Sequence, residues 1–285
     1  MGIGAVIRLA IVIAWLALFV PHIVRHAAPG LGLTARDNSS GMLAANLGKE
    51  YLYDLIRSTG GRLGTCQLSF ARVEQGFELE TQLRLDDLGK LAPGLGLLPQ
   101  LREATSREVR LQLTELLDTN QRLLSLNARG RALGMELIAD GMIGADGLRG
   151  TYTLDQNSPL PYHLPDIGAD AGQGSDLALN LPPGLGPEDQ FTTRLLSPDY
   201  LKMRLSAKTA VFTALAHESI STIAGARALL KVEMQVDARV ISHLWCDDNG
   251  TVYRSRQQDG GMELRLMQIR EVGGKILWPP LAATQ

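Results

Sequence analysis

Between residues 48 and 272 apolar and polar positions come in short runs close to strict alternation, not at every third or fourth residue. In FELETQLRL, Phe77, Leu79, Thr81, Leu83 and Leu85 share one side and Glu78, Glu80, Gln82 and Arg84 the other. That period of two is the mark of a strand with one wet face. GKEYLYDLIR, GRLGTCQLSFARV, SREVRLQLTELLD, QRLLSLNARG, ALGMELIADGMI and LRGTYTLD follow the same rule, separated by turn-sized pieces such as EQG, DTN and ARGR. Gaps that short join antiparallel neighbours, so residues 46–155 are expected to form a β-meander. Residues 156–190 are dense in proline and glycine, which argues against a continuous strand or helix and marks a crossing segment. The alternation resumes in FTTRLLSP, YLKMRLSAKTAVFTALAHESIS, ALLKVEMQVDARVISHLWCDDNG and MELRLMQIREV, giving a second meander over 191–272 and a tail over 273–285. The expected fold is mainly β: one large, curved antiparallel sheet of two meanders, half-barrel-like, with few helices.

The first residues obey a different pattern. IGAVIRLAIVIAWLALFVPHIV, Ile3 to Val24, carries one formal charge, Arg8. As a helix rising about 1.5 Å per residue it reaches roughly 33 Å, enough to cross a hydrocarbon core. Residues 1–25 therefore read as a transmembrane anchor. The flank PHIVRHAAPG lacks a small-x-small cleavage pattern and a lipidation cysteine, which favours an anchor that stays attached. Residues 26–45, rich in Gly, Pro, Ser and Asn, read as a tether. A short tail before the helix and a large domain after it place that domain outside the cytoplasm, on a single-pass bacterial inner membrane protein.

Composition narrows the partners. With 28 Lys and Arg against 30 Asp and Glu, the formal charge of -2 supplies no global field for nucleic acid, and nucleic acid is not expected as a partner. Aromatic residues make up only 5%, too few for a row of base-stacking platforms.

The order of strands and turns, from EYLYDLIRSTGGRLGTCQLSFARVEQGFELETQLRLDDLG through LNLPPGLGPEDQFTTRLLSPDYL to LWCDDNGTVYRSRQQDGGMELRLM, resembles the β-rich region that precedes the catalytic core in some bacterial transglutaminase-like envelope proteins. More loosely, a curved sheet behind an anchor is similar to the half-barrels of the LolA and LolB lipoprotein carriers. The first resemblance implies an envelope protein; the catalytic Cys-His-acid module does not follow residue 272 in this chain, so it implies no activity. The second implies binding of a lipid or lipoprotein.

Candidate chemistry is sparse. Cys66 and Cys246 are far apart in sequence and form neither a CxxC pair nor a zinc knuckle; they read as buried thiols, with a Cys66–Cys246 disulfide as the alternative in an oxidising compartment. The five histidines show no HxxxH or HExxH spacing, and no metal or cofactor is expected. Asp247, Asp248 and Asn249 lack the alternate spacing and distant glutamate of a calcium loop, whereas Asn249-Gly250 fits a two-residue hairpin turn with positive φ at both positions. Trp245 beside that turn packs on the sheet or lines a groove for an apolar ligand. LAPGLGLLPQL brings Leu91, Leu95, Leu97, Leu98 and Leu101 into one unusually apolar loop, a cap on the core or a docking patch for lipid or a partner, and NLPPGLGP repeats that chemistry more weakly. With no assembled catalytic group, the chain reads as a non-enzymatic interaction module with an envelope protein partner. A carrier or sensor of a hydrophobic ligand is the alternative, and an enzyme using His217, Glu218 or His243 comes third.

Overall fold

The computed structural model describes residues 46–57, 60–86, 108–120, 122–132, 135–155, 157–165, 175–176, 181–199, 204–258 and 262–279, with the pair 32–33. The expected anchor 1–25 and Leu91, Leu95, Leu97, Leu98 and Leu101 lie outside these residues. No helix among the described residues is long and apolar enough to cross a membrane.

The described residues build one antiparallel sheet of 17 strands. The first run of long strands is β2 (Lys49–Arg57), β3 (Arg62–Val73), β4 (Gly76–Leu85), β5 (Val109–Leu117), β6 (Leu123–Ala132), β7 (Met135–Gly144), β8 (Gly147–Leu154) and β9 (Leu160–Leu164). The second is β11 (Gln190–Asp199), β12 (Arg204–Thr222), β13 (Gly225–Val236), β14 (Arg239–Cys246), β15 (Val252–Gln257) and β16 (Met262–Glu271). Three short strands complete it: β1 (Gly32–Leu33), β10 (Ser175–Asp176) and β17 (Ile276–Trp278). Within each run, neighbours in sequence are neighbours in the sheet, as short turns dictate. The runs meet where β16 pairs with β2, from Met262 opposite Arg57 to Glu271 opposite Lys49. β9 ends the sheet on one side; β10 and β1 end it beyond β11.

Three local expectations change. Residues 156–190 contain β9 despite Pro161, because an edge strand can spare the missing N–H donor. The tether contributes β1, which pairs with β10 and β11, and the tail contributes β17, which pairs with β16.

The register separates two chemistries by one residue. Val232, Leu244, Ser255, Leu264, Leu55, Gly64, Leu85 and Val109 stand opposite one another in turn across β13 to β16 and β2 to β5. This line runs through the core: Val232, Leu244, Leu55 and Leu85 are each 0% exposed. Burying a side chain of this size contributes about 1.5–3 kcal/mol, so the alternation that points these residues inward is the main local determinant of the sheet. At Gly64 a Cβ would lie 1.9 Å from the Arg84 carbonyl oxygen, so only glycine permits the close approach of β3 and β4 there. Toward the β9 edge the apolar face is less covered, and Tyr152 and Leu160, directly opposite each other, are exposed.

Candidate functional site

The turn after Cys246 is organised by Asp247. Gly250 N–H donates to the Asp247 carbonyl at 2.9 Å, and Asp247 N–H donates to the Thr251 carbonyl at 3.1 Å. The Asp247 carboxylate Oδ1 accepts from the amides of Asn249 and Thr251, each at 3.0 Å. Gly250 has φ 77° and Asn249 is not among the positive-φ residues. The expected two-residue turn with both centres at positive φ is therefore replaced by a three-residue loop closed by one left-handed glycine. The cause is the aspartate, whose side chain caps two amides that a tighter turn would leave elsewhere. The loop is held from outside as well: Leu181 N–H donates to the Gly250 carbonyl at 2.7 Å and Gly184 N–H to the Asp248 carbonyl at 2.8 Å. The LPPGLG stretch thus serves as a clamp, with Leu181 buried in the core.

Under this loop lies a tyrosine cluster. Tyr53 Oη donates to the Val252 carbonyl at 3.0 Å, Tyr51 Oη donates to Asn46 Oδ1, and Arg227 Nη1 donates to Tyr253 Oη at 2.6 Å. Trp278 meets Tyr253 edge to face at 5.1 Å. Burial pushes the Tyr253 hydroxyl up to about 12, and also raises Tyr51 and Tyr53. Cys66 and Cys246 are free thiols, both buried. Burial pushes each up to about 12, with Asp247 and Asp248 adding to the effect at Cys246. Thiols held protonated in this way are poor nucleophiles at neutral pH.

Trp245 sits on the opposite, polar face. Its Nε1–H donates to Glu218 Oε2 at 2.9 Å, and Lys231 Nζ donates to Glu218 Oε1 at 2.9 Å. Lys231 Nζ lies 5.8 Å and Arg254 Cζ 5.2 Å from the indole centroid. Cations therefore occupy the ring's surroundings, and Trp245 is a packed element of a charged surface with its one polar atom satisfied. Hydrogen bonds from Lys231 first, and then from Trp245, hold the Glu218 carboxyl below the usual carboxylate range. His243 Nε2 is 3.5 Å from Glu233 Oε2, while His217 is exposed on the position of β12 next to Glu218. Of the three residues considered for catalysis, the fold thus brings Glu218 and His243 toward one patch and ties Glu218 to a lysine and an indole.

That patch belongs to a longer line that sequence reasoning did not find. Lys231, Trp245, Arg254, Arg265 and Asp54 are successive partners across β13, β14, β15, β16 and β2. The line continues through Thr65, Arg84, Arg110 and Arg131 to Glu136 on β7. Residues directly opposite in antiparallel strands point to the same face. Glu263, only 4% exposed, takes Arg254 Nη2 at 2.6 Å and also Arg265 Nε. Glu108 takes Arg84 Nε at 2.5 Å and Arg110 Nε at 2.7 Å, and the hydrogen bond from Arg110 leads in lowering its pKa. Between them Arg62, Thr65, Arg84, Asp86 and Glu108 line an open depression of about 460 Å³. The signal available in the sequence was only that each of these cations occupies the polar phase of its strand. No group of three or more metal-ligating side chains occurs among the described residues.

No protein-family model matches the chain, and no curated protein matches it. Among solved structures there are distant similarities. A β-barrel-like protein of the domain of unknown function DUF1849 from Brucella abortus has 12% identity and a TM-score of 0.43, covering 78% of this chain and 96% of its own. A DUF1089 family protein from Pseudomonas aeruginosa has 14% identity and a TM-score of 0.33, covering 68% and 90%. A protein from Bacteroides fragilis described as exported, with a YmcC-like fold, has 12% identity and a TM-score of 0.28, covering 84% and 99%. These scores are too low to carry an argument about function. No link to transglutaminase-like proteins or to the LolA and LolB carriers is shown.

Proposed function

We propose that this chain is a membrane-anchored, extracytoplasmic β-domain that works without catalysis as a protein-interaction module in a bacterial envelope assembly. The observation that carries the reading is the continuous polar face of the sheet, on which charged side chains from both runs of strands fall into one register. A rigid sheet offers such side chains in fixed positions, which favours recognition of a partner surface. The apolar segment Ile3–Val24 supplies the membrane attachment. Photocrosslinking from the polar face in intact membranes, followed by purification of the full chain, tests this. A stoichiometric envelope protein is the expected product; a chain crosslinked to no envelope protein would refute the reading.

A second reading, carriage of a hydrophobic ligand, draws on the other face. The Ser242 and Ser255 hydroxyls are buried on the apolar side without a hydrogen-bond partner, at 0% and 2% exposure. Such groups cost free energy unless something satisfies them. Native mass spectrometry of the full chain distinguishes the two: retained lipid, lost on Ser242→Ala with Ser255→Ala, favours carriage.

A further inference from the structure

We propose that the line of cations on the polar face is a docking strip for an acidic helix of the partner protein, an inference that rests on the interaction-module reading above. The cations are Lys231, Arg254 and Arg265 from the second run of strands and Arg84, Arg110 and Arg131 from the first. Arg254 stands directly opposite Arg265, Arg84 opposite Arg110, and Arg110 opposite Arg131. Like charges in that position repel, so the arrangement works against the sheet that carries it. Compensation is uneven: Lys231 is ion-paired with Glu218 at 2.9 Å and Arg131 stands opposite Glu136, while the four arginines between them share two glutamates. Glu263 is shared by two guanidiniums and Glu108 by two more, with Asp86 a further 3.5 Å contact to Arg84. Asp54, an acid within the line, is taken by Arg62 at 2.9 Å. Arg254 Nε is buried without a hydrogen-bond partner. Meanwhile Arg84, Arg110 and Arg265 remain 58%, 67% and 51% exposed in their side chains, open to an incoming group.

Geometry and charge select the occupant. Guanidinium forks match carboxylates in a two-point fashion, so carboxylates from outside complete what Glu108 and Glu263 leave unfinished. Neighbouring strands lie about 4.8 Å apart, whereas same-side residues of an extended strand recur at roughly 6.6 Å. One turn of α-helix advances about 5.4 Å, the closer match, so a helix lying across β4, β5 and β6 with acids on one face meets Arg84, Arg110 and Arg131 in turn, the uninterrupted part of the line.

The test uses the full chain in detergent micelles and a fluorescein-labelled synthetic helical peptide with glutamates along one face. Controls are a scrambled peptide of the same composition and a single-stranded DNA oligonucleotide. Anisotropy should show the facial peptide binding more tightly than either control and weakening with added salt. Arg110→Glu combined with Arg131→Glu should weaken binding roughly tenfold or more without lowering the melting temperature by more than a few degrees. Should that variant fail to fold, Arg110→Gln with Arg131→Gln supplies the same comparison, and unchanged affinity there overturns the proposal. Equal binding of scrambled peptide or DNA overturns it too, since the strip would then be a generic polyanion surface. In membranes, a charge-reversed chain that still crosslinks to its envelope partner sinks the strip and leaves the module standing, whereas a native chain with no crosslinked partner removes both.

Discussion

Gly250 illustrates how one missing side chain can hold a long-range contact. Its φ of 77° disfavours any β-branched residue, and a Cβ there would fall 1.8 Å from the Leu181 carbonyl oxygen. Gly250→Val should therefore destabilise by at least about 2 kcal/mol, from backbone strain plus the loss of the clamp, measured by urea unfolding. Asp247→Ala removes the acceptor for two amides and should cost about 1 kcal/mol. Asp247→Asn should cost less, because an amide oxygen still accepts, and calcium should not shift the melt of either protein. A calcium-dependent rise in melting temperature would show the loop to be a metal site after all. The thiols obey the same logic of burial. Cys66 and Cys246 have folded pKa values near 12 against an ordinary 9.0, so their protonated burial stabilises fully below about pH 9 and is lost as pH rises toward 12. Ellman's reagent should find both thiols unreactive in the native chain at pH 8 and both reactive in denaturant; two unreactive sulfurs in denaturant would mean a disulfide.

Strands contribute function here through the face they offer, and β12, β13 and β14 meet around Glu218, Lys231 and Trp245. The Glu218 pKa is lowered in the folded chain, so its ion pair and indole hydrogen bond stabilise above the ordinary carboxylate range and are lost as pH falls through the folded value. Because the side chain is 42% exposed, solvent screens the effect. Glu218→Gln should lower stability by less than about 1 kcal/mol at pH 7, with the difference from the native chain closing in acid. Thermal melts of both proteins from pH 7 downward check this; a gap that widens in acid would contradict the assignment. The edge elements teach a different point. β9 accommodates Pro161 because no strand among the described residues pairs with its outer side, and a proline that excludes a central strand does not exclude an edge.

The molecule depends on a seam between chain regions more than two hundred residues apart, since Lys49 of β2 pairs with Glu271 of β16. Leu55 and Leu264 face each other across it, 0% and 1% exposed, inside the apolar line that crosses both runs of strands. A core shared in this way should unfold as one unit. Far-ultraviolet circular dichroism and tryptophan fluorescence of a truncation beginning at Asn46 should give coincident urea transitions. Leu55→Ala should move both together, by about 2–5 kcal/mol. Separate transitions would mean that the two runs are independent folding units and that the seam contributes little.

Alternation at period two follows from backbone geometry alone, so which side chains share a face of FELETQLRL was legible without any fold. The antiparallel character was legible too, because short turns leave neighbouring strands no other direction. Trp245 could be singled out, but not its setting: Glu218, Lys231 and Arg254 reach it from three other strands, and pairing register is not a local property. The loop at Asp247–Thr251 was recognisable as a turn from Asn249-Gly250, yet its length was decided by the Asp247 carboxylate and by Leu181 arriving from another segment. The alignment of Arg254 and Arg265 with Arg84, Arg110 and Arg131 required the β16–β2 seam. No local preference encodes that pairing; burial of the apolar line on the other face brings the strands together, and the cations follow because they are one residue out of phase with it.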